Sequence, residues 1–216
     1  MNLTIVVSRY EENTDWIASE LTPLCSPRRI VVYNKGASPC NLDSDLIQVI
    51  PLPNVGREAH TYLHHIISTY DGAEDDVTLC IPGSCRELPY KWECLKKVIA
   101  EIGCRSVFPY MTCKDADLEN FTINSHPSSH RGNARANPDI ALKPSPVRPY
   151  GRWCREVLGR NPDADRVIYW GIFAVSRRDI RARSLATYET LKSFVDQRPN
   201  HEAAHYLERA WPIVFT

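Results

Sequence analysis

Pro51-Leu52-Pro53-Asn54-Val55-Gly56-Arg57-Glu58-Ala59-His60-Thr61-Tyr62-Leu63-His64-His65-Ile66-Ile67-Ser68-Thr69-Tyr70 joins the end of one element to the start of another. It follows Leu46–Ile50, a strand-like apolar run. Prolines 51 and 53 stop that strand, because neither can donate to a ladder and each biases its predecessor toward extended geometry. Asn54 has the chemistry of an N-cap, and Gly56 frees the backbone for close approach. From Arg57 onward, Ala59, Leu63, Ile66 and Ile67 recur at helical spacing, with Tyr62 and Tyr70 on the flanks. A helix therefore begins just after a strand, and Gly56, Arg57 and Glu58 lie in its first turn. Unpaired N–H groups and the positive end of the helix dipole, joined by a guanidinium, make a phosphate seat. Taken alone, the same residues read as surface groups of a first turn, with His60, His64 and His65 packed or facing water. The surrounding strands favour the first reading.

Leu3–Val7 is continuously apolar and β-branched, as in a strand buried on both faces, and it ends in the polar loop Ser8-Arg9-Tyr10-Glu11-Glu12. Thr14 or Asp15 can cap a short helix that turns Trp16, Ile17 and Leu21 inward. Arg29–Tyr33 is a second buried-type strand running into Asn34-Lys35-Gly36. The third is Leu46–Ile50. Val77–Ile81 is a fourth, ending at Pro82-Gly83-Ser84. A helix is expected over Tyr90–Ile102, closed by Gly103, and Ser106–Met111 reads as a fifth strand. Lys114–Pro149 is rich in Asn, Ser, His and Pro and forms a long irregular excursion, a length that points to function or mobility. Val167–Val175 reads as a strong strand interrupted at Gly171. Further helices are expected at Tyr150–Leu158, Arg178–Arg183, Tyr188–Val195 and Glu202–Ala210.

Alternating strands and helices with continuously apolar strands indicate an α/β sandwich with a mainly parallel sheet flanked by helices, in a single domain over residues 1–216. Ligands of such sheets bind beyond the carboxyl ends of the strands, at a topological switch. Here those ends are Ser8–Glu12, Asn34–Gly36, Asn54–Glu58 and Gly83–Ser84, four polar segments around one crevice.

The totals narrow the function classes. The chain has 216 residues, no net charge and 43% hydrophobic content, so no global field draws nucleic acid or an anionic membrane. The arginine-rich 152–183 region lacks aromatics interleaved in a stripe, which argues against nucleic acid as partner. No run has the length of a membrane span. Met1-Asn2 leads directly into Leu3–Val7 with no basic n-region, so the chain reads as cytoplasmic. Its eight cysteines are irregularly spaced, with no Cys-x-x-Cys, and read mostly as free thiols.

Ile5-Val-Val-x-Arg9-Tyr10-x-Glu12 with Trp16, then Tyr33-Asn-Lys-Gly36, then Asn54-Val-Gly-Arg-Glu-Ala-His60-x-Tyr62-Leu63-x-x-Ile66-Ile67 resemble a family long labelled only as a domain of unknown function. Its members look like small GT-A glycosyltransferases. Phe173–Ser176, Ile180–Arg183, Tyr188 and the ending Tyr206-Leu-Glu-Arg209 with Trp211-Pro212 and Phe215 continue the resemblance, leaving Lys114–Asp165 poorly matched. Glycosyltransferase domains of large algal viruses are similar in size and architecture. The resemblance implies transfer of a sugar from a nucleotide-diphosphate sugar, UDP-linked by preference, to a glycan or a protein-linked acceptor. It implies that Ser8, Arg9, Tyr10 and Glu12 hold the base, with Asn34, Lys35 and Gly36 also lining the donor site. Asn54, Gly56, Arg57 and Glu58 would then hold ribose or phosphate, and Gly83 and Ser84 approach the diphosphate. It also implies a divalent cation, manganese or magnesium, but the usual Asp-x-Asp after the fourth strand is replaced by Ile81-Pro82-Gly83-Ser84.

Hard cations want carboxylate oxygens, and Asp115-Ala116-Asp117 has the spelling of such a motif. So does Asp163-Ala164-Asp165, which shows how cheaply that spelling arises. Asp75-Asp76 reads as a solvated turn. His201 and His205 stand at i, i+4, so His205 is a further metal candidate, against a surface or core reading. An inverting transferase needs a carboxylate to take the acceptor proton; Glu208, Asp115 and Asp117 are the candidates, with an ion pair to Arg209 as the structural alternative for Glu208. Trp170 beside Gly171 either stacks on an acceptor sugar or packs in the core. The rival function class is a catalytically inactive glycosyltransferase-like module that recognises a glycan or protein.

Overall fold

The computed structural model describes residues 1–42, 44–72, 76–123 and 142–216. The middle of the expected excursion, residues 124–141, and Asp75 lie outside them.

Five strands form one sheet, β1 (Leu3–Arg9), β2 (Arg29–Asn34), β3 (Ile47–Pro51), β4 (Val77–Pro82) and β5 (Phe173–Ser176), in the order β3-β2-β1-β4-β5. β1 runs parallel to β2 and β4, with Val6 opposite both Val31 and Cys80, and β2 runs parallel to β3. β5 is antiparallel to β4, pairing Cys80 with Phe173. The fold is thus α/β with a mostly parallel sheet. The chain winds outward from β1 to β3 on one side and crosses to β4 on the other, so the topological switch lies between β1 and β4. Because β5 runs the other way, the turn that precedes it reaches the edge where β1 and β4 end.

Side-chain alternation along β1 divides the core. Ile5 and Val7 join Val32, Ile81, Leu95 and Val98 on one face, while Val6 joins Val31, Leu63, Phe173, Leu207 and Trp211 on the other. Helices cover both faces: α1 (Thr22–Cys25), α2 (Arg57–Thr69), α3 (Pro89–Glu101), α4 (Tyr150–Trp153), α5 (Arg177–Arg181), α6 (Leu185–Ser193) and α7 (Glu202–Val214). All eight cysteines are free, and among the described residues no helix is long and apolar enough to cross a membrane.

Four local expectations are corrected. Ser106–Met111 is not a strand; it makes isolated bridges, Val107 to Ala174 and Met111 to Val167, because Pro109 between them has no N–H to extend a ladder. The apolar run 167–175 forms a strand only from Phe173, since Trp170 (φ 69°) and Gly171 (φ 65°) are both left-handed. The cap of α2 is Gly56 rather than Asn54. α7 continues to Val214 with Pro212 inside it, anchored by the buried Trp211 ring packed between Phe173 and Phe215.

Candidate functional site

At the carboxyl edge of β1 the polar groups first bind one another. The buried Arg9 guanidinium donates from Nε to the Glu12 carbonyl (3.0 Å) and from Nη1 to Asn34 Oδ1 (2.6 Å) and the Ser38 carbonyl (2.8 Å). Glu12 Oε2 accepts from the Tyr10 N–H at 2.6 Å, and the loop after β4 comes so close that a Cβ on Gly83 would stand 3.0 Å from that oxygen. The Ser8 and Thr61 hydroxyls share a 2.8 Å bond between β1 and α2, and Ser84 takes the Lys91 ammonium at 2.8 Å. Ser8, Arg9 and Asn34 therefore shape the loops. Beside them opens a polar cleft of about 310 Å³, lined by Arg9, Glu11, Glu12, Thr14, Asp15 and Asn41 among others.

Lys35 is buried below the start of α2, and its Nζ donates to the carbonyls of Val55 and Arg57, both at 2.5 Å. Those bonds grip a backbone that needs holding, because Gly56 (φ 59°) and Arg57 (φ 53°) are consecutive left-handed residues. For a residue with a Cβ that conformation costs about 1–2 kcal/mol. Gly56 is required there: its N–H donates to the Arg198 carbonyl at 2.7 Å, and a Cβ would lie 2.1 Å from the Val195 carbonyl oxygen. No side chain caps α2, and the Arg57 side chain, 34% exposed, stands at its mouth with Nε 3.7 Å from Glu58 Oε2.

Burial draws the Lys35 ammonium down from 10.5 to about 7, with Glu58 raising it and Arg57 lowering it. The unfolded chain then binds more protons than the folded one between pH 7 and 10.5, so stability rises with pH in that window. Buried thiols such as Cys80 and Cys85, ordinarily 9.0 and pushed up by burial, reverse the trend once unfolded thiols ionise. Between pH 7 and 9 we expect a gain of at most ~1.4 kcal/mol per unit, flattened in Lys35→Met. Denaturant melts at three pH values check this, and an unchanged slope in the variant excludes the assignment.

Two carboxylates from different elements meet at the Trp170–Gly171 turn. Glu208 of α7 accepts the Trp170 N–H on Oε1 at 2.7 Å. Glu58 of α2 lies against Gly171, where a Cβ would stand 2.9 Å from Glu58 Cγ. Tyr62 pins the turn by donating to the Gly171 carbonyl at 2.8 Å. Burial first, and the Glu58 charge second, raise the Glu208 carboxyl above its ordinary value, while Arg57, Arg209 and the Trp170 N–H oppose them. A carboxylate poised this way is a general-base candidate.

Arg209 stands beside Glu208, with Nη1 3.8 Å from Oε2. Its Nε and Nη2 grip Asp115 at 2.7 and 3.2 Å, and Tyr169 donates to the same carboxylate at 3.3 Å. Asp117 is solvent-exposed and accepts from the Asn120 main chain and side chain at 3.0 and 2.8 Å, bonds that lower its pKa. The expected Asp115–Asp117 pair is therefore divided between a buried guanidinium and a surface turn. His205 is buried on α7, and among the described residues no three His, Cys, Asp or Glu groups form a metal-ligand set.

Of the residues named from the sequence, the fold brings Lys35, Gly56, Arg57, Glu58, Trp170, Gly171 and Glu208 together. Arg209 carried one signal, its place after Glu208; its grip on Asp115, 94 residues away, carried none. No protein-family model and no curated protein matches the chain.

Proposed function

We propose that the chain is a GT-A-like glycosyltransferase, moving a sugar from a nucleoside-diphosphate donor, UDP-linked by preference, to a glycan or glycoprotein acceptor. The observation that carries this reading is the meeting of Glu58 and Glu208 at one turn, beside Arg57 and the uncapped start of α2, at the edge where β1 and β4 end. Arg57 and the first N–H groups of α2 hold the diphosphate. Glu208 takes the proton of the acceptor hydroxyl as its oxygen bonds to the anomeric carbon. The bond from that carbon to the diphosphate oxygen breaks with its electron pair, and Arg57 receives the charge. Glu58 keeps the Glu208 carboxyl basic. The base occupies the cleft between Arg9 and Asn41. Eight free thiols suit a reducing compartment such as the cytoplasm.

A second reading, an inactive glycan- or protein-binding module, is favoured by the engagement of Asp115 with Arg209 and by the sequence Ile81-Pro82-Gly83-Ser84 after β4. Thermal shift against UDP-, GDP- and dTDP-sugars, with and without manganese, tests for the donor, and turnover separates the two readings. A melting temperature unmoved by every donor excludes the transferase. Arg57→Ala is expected to weaken donor binding about tenfold or more, the loss of a charge-assisted contact, with an unchanged melting temperature. Titration measures it, and equal affinity removes Arg57 from the phosphate seat.

A further inference from the structure

Two more groups gather on Trp170. Tyr90, on the first turn of α3, brings its ring to 4.8 Å from the Trp170 ring, tilted by 46°. It remains 48% exposed. On the same indole lies the Lys114 ammonium, 5.3 Å from the Trp170 centroid and 5.0 Å from that of Tyr169. The Lys114 N–H donates to the Tyr169 hydroxyl at 2.9 Å, so the lysine is anchored at its main chain and held over the rings at its tip. Among the described residues no carboxylate forms an ion pair with this ammonium, and the adjacent Asp115 is engaged by Arg209.

Each part has its own chemistry. An exposed aromatic face takes the apolar face of a pyranose, as a flat hydrophobic surface with a negative quadrupole. A cation resting on ring faces is fixed in place without being neutralised, so its N–H groups still serve an anion. The Trp170 main-chain N–H meanwhile touches Glu208, so the residue that carries the indole also holds one of the two carboxylates. We propose that Tyr90, Trp170 and Lys114 form the acceptor subsite and select a pyranose carrying an anionic group, either a uronate carboxylate or a sulfate or phosphate ester. The word acceptor rests on the transferase reading; the selection of an acidic sugar does not, since it operates without a donor.

The test is calorimetric titration of the full chain, free of nucleotide, with trigalacturonate, its methyl ester, a 6-sulfated galactotriose and a glutamate tripeptide. An acidic sugar is expected to bind about tenfold tighter than the neutral ester, as a charge-assisted bond allows, and the stronger of the uronate and the sulfate names the source of the charge. Lys114→Gln abolishes the preference, Lys114→Arg keeps it, and Tyr90→Ala weakens acid and ester alike. Equal affinity for acid and ester, a preference that survives Lys114→Gln, or equal binding of the peptide overturns the proposal. Donor binding measured in parallel separates the two readings: acidic preference with no affinity for any nucleotide sugar sinks the transferase and leaves the subsite, and the converse result does the opposite.

Discussion

On the transferase reading, Glu208→Gln is expected to leave donor affinity within about twofold of the parent and to lower turnover by roughly 10²–10⁴-fold, the range of a lost general base. The amide oxygen still accepts the Trp170 N–H, so the turn keeps its shape while the group that collects the proton is gone. The pH profile gives an independent readout. Because the Glu208 carboxyl is raised by burial and then by Glu58, the acid limb of turnover lies above the ordinary glutamate value, and activity grows as pH rises through it. Glu58→Gln removes the repelling charge and moves that limb to lower pH. Turnover of the Glu208 variant within threefold of the parent across the profile would end its role as base.

Glu202→Ala is expected to cost stability rather than chemistry, by about 3–5 kcal/mol, the range for a broken buried ion pair. The carboxylate is fully buried and accepts four donors: the N–H groups of Ile123 (2.9 Å) and Ser145 (2.8 Å), Arg148 Nη2 (3.0 Å) and the Tyr206 hydroxyl (2.9 Å). Alanine leaves all four without this partner. For a chain of this size the melting temperature falls by about 10 °C, read by circular dichroism. A fall under about 2 °C would show that water or neighbouring groups replace the carboxylate.

The parallel strands were legible because burial on both faces leaves a continuous apolar run, as in Leu3–Val7 and Val77–Ile81. Strand order was not: the antiparallel pairing of Cys80 with Phe173 joins residues far apart in the chain, and no local pattern encodes it. Trp170 misled the reading of 167–175, because tryptophan gives no signal of a left-handed backbone, whereas Gly171 did mark the break. At the site, Arg57, Glu58 and Glu208 each stood out by residue type and place, but their meeting depends on α2 and α7 packing on the same sheet face. Ser8, Arg9 and Asn34 stand out as polar residues at strand ends. That Ser8 bonds Thr61 and Arg9 bonds Asn34 appears only once the loops are brought together. Tyr90 and Lys114 carried no motif at all.

The bond between the Trp170 N–H and Glu208 has a stereochemical consequence. Oε1 already receives a main-chain donor at 2.7 Å, while Oε2 faces Arg209 at 3.8 Å. Among the described contacts Oε2 is the less tightly engaged of the two oxygens, with a long ion pair in place of a short hydrogen bond. On the proposed transferase reading, an acceptor hydroxyl would then approach along the guanidinium side of the carboxylate.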